Sequence, residues 1–138
     1  MKRYSLKKIC MKRILLVEDN KLDRRLIMHL LIQNFGNHIY IDEAPDGFEA
    51  LSMLSKTTYD LVITDLVMPR IEGIELINKI RSQDPSLPVI AISGSNPYYL
   101  VMAGKLGING AFTKPLDSAK FISTIQSLFG VHEKMKSA

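Results

Sequence analysis

Long apolar runs are missing from this chain. No window approaches the ~18 consecutive apolar residues that a membrane span needs, and the basic N-terminus leads into no apolar stretch of signal-peptide type. A cytoplasmic protein with no membrane partner is therefore expected. Cysteine occurs once, as Cys10, which excludes an internal disulfide and a thiolate zinc cluster of the usual spacing. Internal repeats, low-complexity tracts and Pro/Gly/Ser-rich linkers are also missing, so nothing divides the sequence. What remains is 138 residues, 46% hydrophobic and 23% charged, a size and composition that suit one globular domain around a single core.

Acidic residues are missing from the first thirteen positions, which hold Lys2, Arg3, Lys7, Lys8, Lys12 and Arg13. These six account for the formal net charge of +4, because from Ile14 onward 12 basic residues face 14 acidic ones. A basic face is not indicated, and no nucleic-acid partner is expected. Residues 1–11 read as a solvated basic extension, 12–130 as the domain and 131–138 as a C-terminal tail. Met11 could itself begin translation, so Met1 to Cys10 is expected to be dispensable for folding.

What is present is alternation. Short apolar runs stand at Ile14 to Val17, Ile39 to Ile41, Leu61 to Ile63, Val89 to Ile92 and Ala111 to Thr113. Helical periodicity fills the intervals. The first helix, after Asn20 as N-cap, sets Leu22, Leu26 and Leu30 on a stripe with Ile27 and Leu31 beside it. The second runs from Asp46 to about Lys56 and carries Phe48, Leu51 and Leu54, and the third carries Ile74, Ile77 and Ile80. A short fourth begins at Asn96 and Pro97 and ends near Gly107. The fifth opens at Asp117, carries Phe121, Ile122, Ile125, Leu128 and Phe129, and stops at Gly130. Five strands continuous in hydrophobicity, each followed by a helix, predict an α/β fold: a doubly wound parallel sheet with helices on both faces. In such sheets ligands bind beyond the carboxyl ends of the strands.

At those ends stand Glu18 and Asp19, Asp65, Ser93 and Gly94, and Lys114 and Pro115. Singly, each has an ordinary explanation as a solvated turn, a helix cap or an exposed lysine. Together, three carboxylates on one rim would repel one another unless a cation lay among them. A set of hard oxygen ligands without His or Cys points to Mg²⁺, which commonly completes its shell with water and phosphate oxygens. A lysine and a serine hydroxyl opposite the metal would complete a phosphoryl site. Asp65 is the nucleophile candidate, because an aspartate is already ionised at neutral pH and needs no general base, and no histidine stands at these strand ends.

Four segments carry a resemblance: Leu-Leu-Val-Glu-Asp-Asn at 15–20, Asp-Leu-Val-Ile-Thr-Asp-Leu-Val-Met-Pro at 60–69 with Gly73, Ala-Ile-Ser-Gly at 91–94, and Thr-Lys-Pro at 113–115. As an ordered set covering about Lys12 to Phe129, the chain resembles a CheY-like response-regulator receiver domain of two-component or phosphorelay signalling. The resemblance implies a flavodoxin-like sheet of strand order 2-1-3-4-5. It implies that Asp65 accepts a phosphoryl group from a histidine kinase or a histidine phosphotransfer protein, with Mg²⁺ as cofactor. Asp19, Asp65 and the backbone carbonyl of Val67 would bind the metal directly and Glu18 through water, while Lys114 and Ser93 would hold phosphoryl oxygens. The protein would be no enzyme beyond catalysing its own phosphotransfer and dephosphorylation. The sequence ends soon after the fifth helix, so a single-domain regulator that signals by phosphorylation-dependent contact with a target protein is expected.

Two positions depart from the family pattern. Glu18 stands where Asp is most frequent. Ala111, three residues before Lys114, stands where a Tyr or Phe usually serves as the rotating switch, and Phe112 does not replace it, since adjacent strand residues face opposite sides of the sheet. Output is therefore expected through the loop after Ser93 and the fourth helix, with Tyr98 and Tyr99 near its start, or through the phosphorylated site itself.

Other features have ordinary readings. His29, His38 and His132 are unclustered, the seven methionines are scattered, and Met68-Pro69 shapes a loop. Gly104-Lys105 is no phosphate loop, because Tyr99 replaces its leading glycine and Leu106 its Ser/Thr. Two rival functions fit the sequence less well. An aspartyl phosphatase of the haloacid dehalogenase type would carry a second Asp where Val67 stands, and a pseudo-receiver interaction module that is never phosphorylated would have no need of the complete set.

Overall fold

In the computed structural model, which describes residues 11–68, 72–94 and 97–130, every apolar run forms a strand and every periodic stretch a helix. The order is β1 (Lys12–Val17), α1 (Lys21–Phe35), a single 3-10 turn (Gly36–His38), β2 (Ile39–Ala44), α2 (Gly47–Lys56) and β3 (Leu61–Asp65). There follow α3 (Gly73–Gln83), β4 (Val89–Ser93), α4 (Pro97–Gly104), β5 (Gly110–Thr113) and α5 (Ser118–Leu128). The strands are all parallel, in the order β2-β1-β3-β4-β5. The chain order reverses across β1 and β3, the place where doubly wound sheets bind ligands beyond the carboxyl ends of the strands.

Alternate residues of the central strands feed two cores. Leu15, Val17, Val62, Val89 and Ala91 meet Ala50 of α2, Leu76, Ile77 and Ile80 of α3, and Ala103 of α4. Ile14, Leu16, Leu61, Ile63, Ile90 and Ile92 meet Ile27, Leu31 and Phe35 of α1 and Phe121, Ile122 and Ile125 of α5. Each Val, Leu, Ile or Phe among them contributes about 1.5–3 kcal/mol when fully withdrawn from water, and this double layer fixes the register of the three inner strands. Phe112 points to the α5 side, edge-on to Phe121 with centroids 5.5 Å apart.

The helix starts follow the sequence. Asn20 Oδ1 accepts from the Asp23 N–H at 2.9 Å, Asp46 Oδ1 from Glu49 at 2.8 Å, and Asp117 Oδ1 from Lys120 at 3.2 Å. Gly130, after the last helix, has φ +71°, a left-handed stop that suits glycine.

Three expectations need correction. On α1 the buried row is Ile27, Leu31 and Phe35, whereas Leu22 and Leu26 are 65% and 59% exposed. Periodicity identifies a row only to within one helical step of about 100°, and the i, i+4, i+8 row that meets the sheet begins at Ile27. Phe48 is likewise exposed, because α2 turns Gly47 and Ala50 toward β1 and β2. Finally, only β1, β3 and β4 have two covered faces; β2 and β5 are edge strands with part of each exposed. Pro69, Asn96 and His132 lie outside the described residues, as do residues 1–10 of the basic extension and the tail at 131–138.

Candidate functional site

The backbone hydrogen-bond ladder runs one residue past several strands, which carries the polar residues onto one rim. Glu18 N–H donates to Ala44 O at 3.1 Å, Leu66 N–H to Ile92 O at 3.0 Å, and Lys114 N–H to Ser93 O at 3.0 Å. Gly73 N–H closes the loop after β3 by donating to Leu66 O at 3.1 Å. A Cβ at Gly73 would overlap the Asp65 carbonyl oxygen and approach Leu66 Cα at 2.6 Å. Glycine is thus required for α3 to start this close to Asp65.

The result brings Glu18, Asp19 and Asp65 together, with one carboxylate oxygen of each within 4.8 Å of the others. Glu18 and Asp65 are buried and Asp19 is exposed. Lys114 Nζ lies 3.1 Å from Glu18 Oε1 and 3.3 Å from Asp65 Oδ2. Val67 N–H donates to Asp65 Oδ1 at 3.3 Å. Ser93 is 2% exposed, and its Oγ has no hydrogen-bond partner among the described residues. A buried hydroxyl without a partner is costly, of order 1–3 kcal/mol, and marks a place for a ligand atom. Beside it, a Cβ at Gly94 would lie 3.2 Å from Lys114 Cδ, so the glycine lets the lysine stem cross the end of β4.

Electrostatics follow from this crowding. Burial, and next the charge of Asp65, push the Glu18 carboxyl up to about 7 against the partial relief of Lys114. Burial pushes the Lys114 ammonium down, but the hydrogen bond of Asp23 and the charges of Asp65 and Glu18 overcome it and hold the group above the usual lysine range. Three hard carboxylates, two of them paired with a single lysine, form a donor set suited to a small divalent cation.

Two residues of the site escaped the sequence reading. Asp23 Oδ2 is 2.8 Å from Lys114 Nζ, and Arg24 donates from Nη1 to Glu18 O at 2.6 Å and from Nε to Glu43 Oε1 at 2.9 Å. Their one legible signal was position in the first turn after Asn20, and an acid there normally reads as compensation of the helix dipole. Away from the rim, Tyr98 is exposed, Tyr99 packs partly against the α3 and α4 side of the core, and Ala111 is exposed on β5 opposite Ala91.

Comparison with known proteins agrees with this fold. The chain is 35% identical over 121 residues to the chemotaxis protein CheY-3 of Vibrio cholerae, a match covering 85% of this chain and 91% of that protein. It is 34% identical over 120 residues to the response regulator ArlR of Staphylococcus aureus, covering 86% of this chain and 52% of the relative. Among solved structures, the signal receiver domain of an HD domain-containing protein from Pseudomonas fluorescens superposes with a TM-score of 0.78 at 25% identity, covering 92% of this chain and 98% of that one. The chemotaxis response regulator CheY4 of Vibrio cholerae superposes at 0.74 and 26% identity, covering 86% and 98%. No helix among the described residues is long and apolar enough to cross a membrane. Since the model of the response regulator receiver domain matches residues 14–126, from the first strand to the last helix, the chain belongs to the receiver-domain family of two-component signalling.

Proposed function

We propose that Asp65 is the phosphoacceptor of this receiver, taking a phosphoryl group from a phosphohistidine of a histidine kinase or a histidine phosphotransfer protein, with Mg²⁺ as cofactor. The observation that carries the reading is the buried Asp65 carboxylate, paired with Lys114 Nζ and clustered with two further carboxylates, on the rim where Ser93 Oγ has no hydrogen-bond partner among the described residues. Asp19 and Asp65 would supply carboxylate oxygens to the metal and Val67 its backbone carbonyl, with Glu18 acting through water. When bound, Mg²⁺ offsets the charge of the carboxylates and of the transferring phosphoryl oxygens.

In the transfer, an Asp65 carboxylate oxygen forms a bond to phosphorus as the phosphorus–nitrogen bond of the donor breaks, and the released imidazole nitrogen keeps the electron pair. Lys114 donates to one phosphoryl oxygen and the Ser93 hydroxyl to another, so charge is met by donors already in place. Hydrolysis of the acyl phosphate resets the site. Phosphorylation then alters contact with a downstream protein partner.

Incubation with acetyl phosphate or phosphoramidate and Mg²⁺, read by intact mass, should add a single phosphoryl group. Asp65→Asn should abolish the addition. Labelling that persists on another residue would sink the assignment.

A further inference from the structure

Lys114 has a third partner that does not come from a strand end. Asp23 Oδ2 accepts from Nζ at 2.8 Å, a shorter contact than those with Glu18 at 3.1 Å and Asp65 at 3.3 Å. An ammonium has three N–H donors, and these three carboxylates match that number. A phosphoryl oxygen can gain a hydrogen bond from Lys114 only if one of them gives way.

Asp23 sits in the first turn of α1, where its own N–H is held at 2.9 Å by Asn20 Oδ1. Its carboxylate is therefore fixed to the helix and not to the sheet. It is also outside the group of acids whose oxygens cluster for a cation. Its side chain is 35% exposed, so water can solvate it when the lysine leaves. Glu18 and Asp65 are much less exposed, at 1% and 7%. Of the three bonds, the one to Asp23 is the one that can open without stranding a buried charge.

We infer that Asp23 is a positioning residue that draws the Lys114 ammonium toward α1 and competes for it with the phosphoryl group on Asp65. The inference rests on the proposed role of Asp65 and Lys114 and adds a regulator of how tightly the phosphorylated state is held. A half-exposed ion pair is weak enough to be broken on each cycle and strong enough to set a bias.

The test is a titration of the full chain with beryllofluoride at saturating Mg²⁺, followed by amide NMR, with thermal melts to confirm folding. Asp23→Asn keeps the shape and removes the charge, and should tighten beryllofluoride binding about fivefold. Asp23→Glu retains the charge on a longer arm and should stay within about twofold of wild type. In a Lys114→Ala background, Asp23→Asn should change nothing, because the effect runs through the lysine.

Unchanged or weaker binding in Asp23→Asn would overturn the inference, as would an equal gain in the Lys114→Ala background, which would show a general charge effect. Should beryllofluoride bind to neither wild type nor variant, the phosphoacceptor reading itself fails and this inference goes with it. Wild-type binding with no response to Asp23→Asn separates the two failures.

Discussion

Arg24 Nη1 donates to the backbone carbonyl of Glu18 at 2.6 Å while its Nε holds Glu43, so α1 and β2 together clamp the acidic turn that follows β1. The buried Glu18 carboxylate is thereby held on a turn that could otherwise relax outward. Arg24→Ala should cost about 1–2 kcal/mol of stability by chemical denaturation. It should also weaken Mg²⁺ binding severalfold in a direct titration. An unchanged Mg²⁺ affinity would show that the clamp is structural only.

Gly73 offers a sharper test of how the loop after Asp65 is built. Because an added Cβ meets backbone and not a flexible side chain, Gly73→Ala should cost about 3 kcal/mol in equilibrium unfolding. Phosphorylation by acetyl phosphate should slow as Asp65 is displaced. Stability within about 0.5 kcal/mol of wild type would mean that the loop moves freely.

Burial and the charge of Asp65 push the Glu18 carboxyl up to about 7 in the folded chain without metal, against 4.5 for the ordinary group. Between those values the native state keeps a proton that the unfolded chain has released, so this group's contribution is present below pH 4.5 and is lost as pH rises through about 7. In chelator, the stability of wild type relative to Glu18→Gln should fall by about 2 kcal/mol from pH 5 to 7.5. Saturating Mg²⁺ should flatten that difference. A flat difference in chelator would place the carboxyl at its ordinary value.

Lys114→Ala should still accept some phosphate but lose the conformational response, because one phosphoryl face is left without a positive partner. Intact mass and amide shifts, measured on one sample, separate the two effects. A full response in this variant would remove Lys114 from the signalling path.

Ala111 has no ring to move, and it stands exposed on β5 opposite Ala91. On adding beryllofluoride, large amide shifts are expected to stay within residues 93–106, with Tyr98 and Tyr99 among them. Equally large shifts across Ala111 and α5 would show that the other face switches by another route.

Much of the fold was legible because it depends on local periodicity. Five apolar runs of strand length, punctuated by Asn20, Asp46, Asp117 and Gly130, specify elements without knowledge of their neighbours. The rim residues were legible for a related reason: in a parallel sheet every strand ends on one edge, so Glu18, Asp65, Ser93 and Lys114 converge whatever the helices between them do. The exposure of Leu22, Leu26 and Phe48 was not legible. Amphipathic spacing says which side chains share a face, while the rotation of a helix on its sheet is set by how facing side chains interlock. Nor was the bond from Lys114 to Asp23, 91 residues away in sequence, since it depends on how far a flexible lysine reaches and on where the Asn20 cap sets the first turn of α1. Patterns of hydrophobicity record burial averaged along an element, whereas a pair of polar atoms meeting at 2.8 Å is a product of the packed whole.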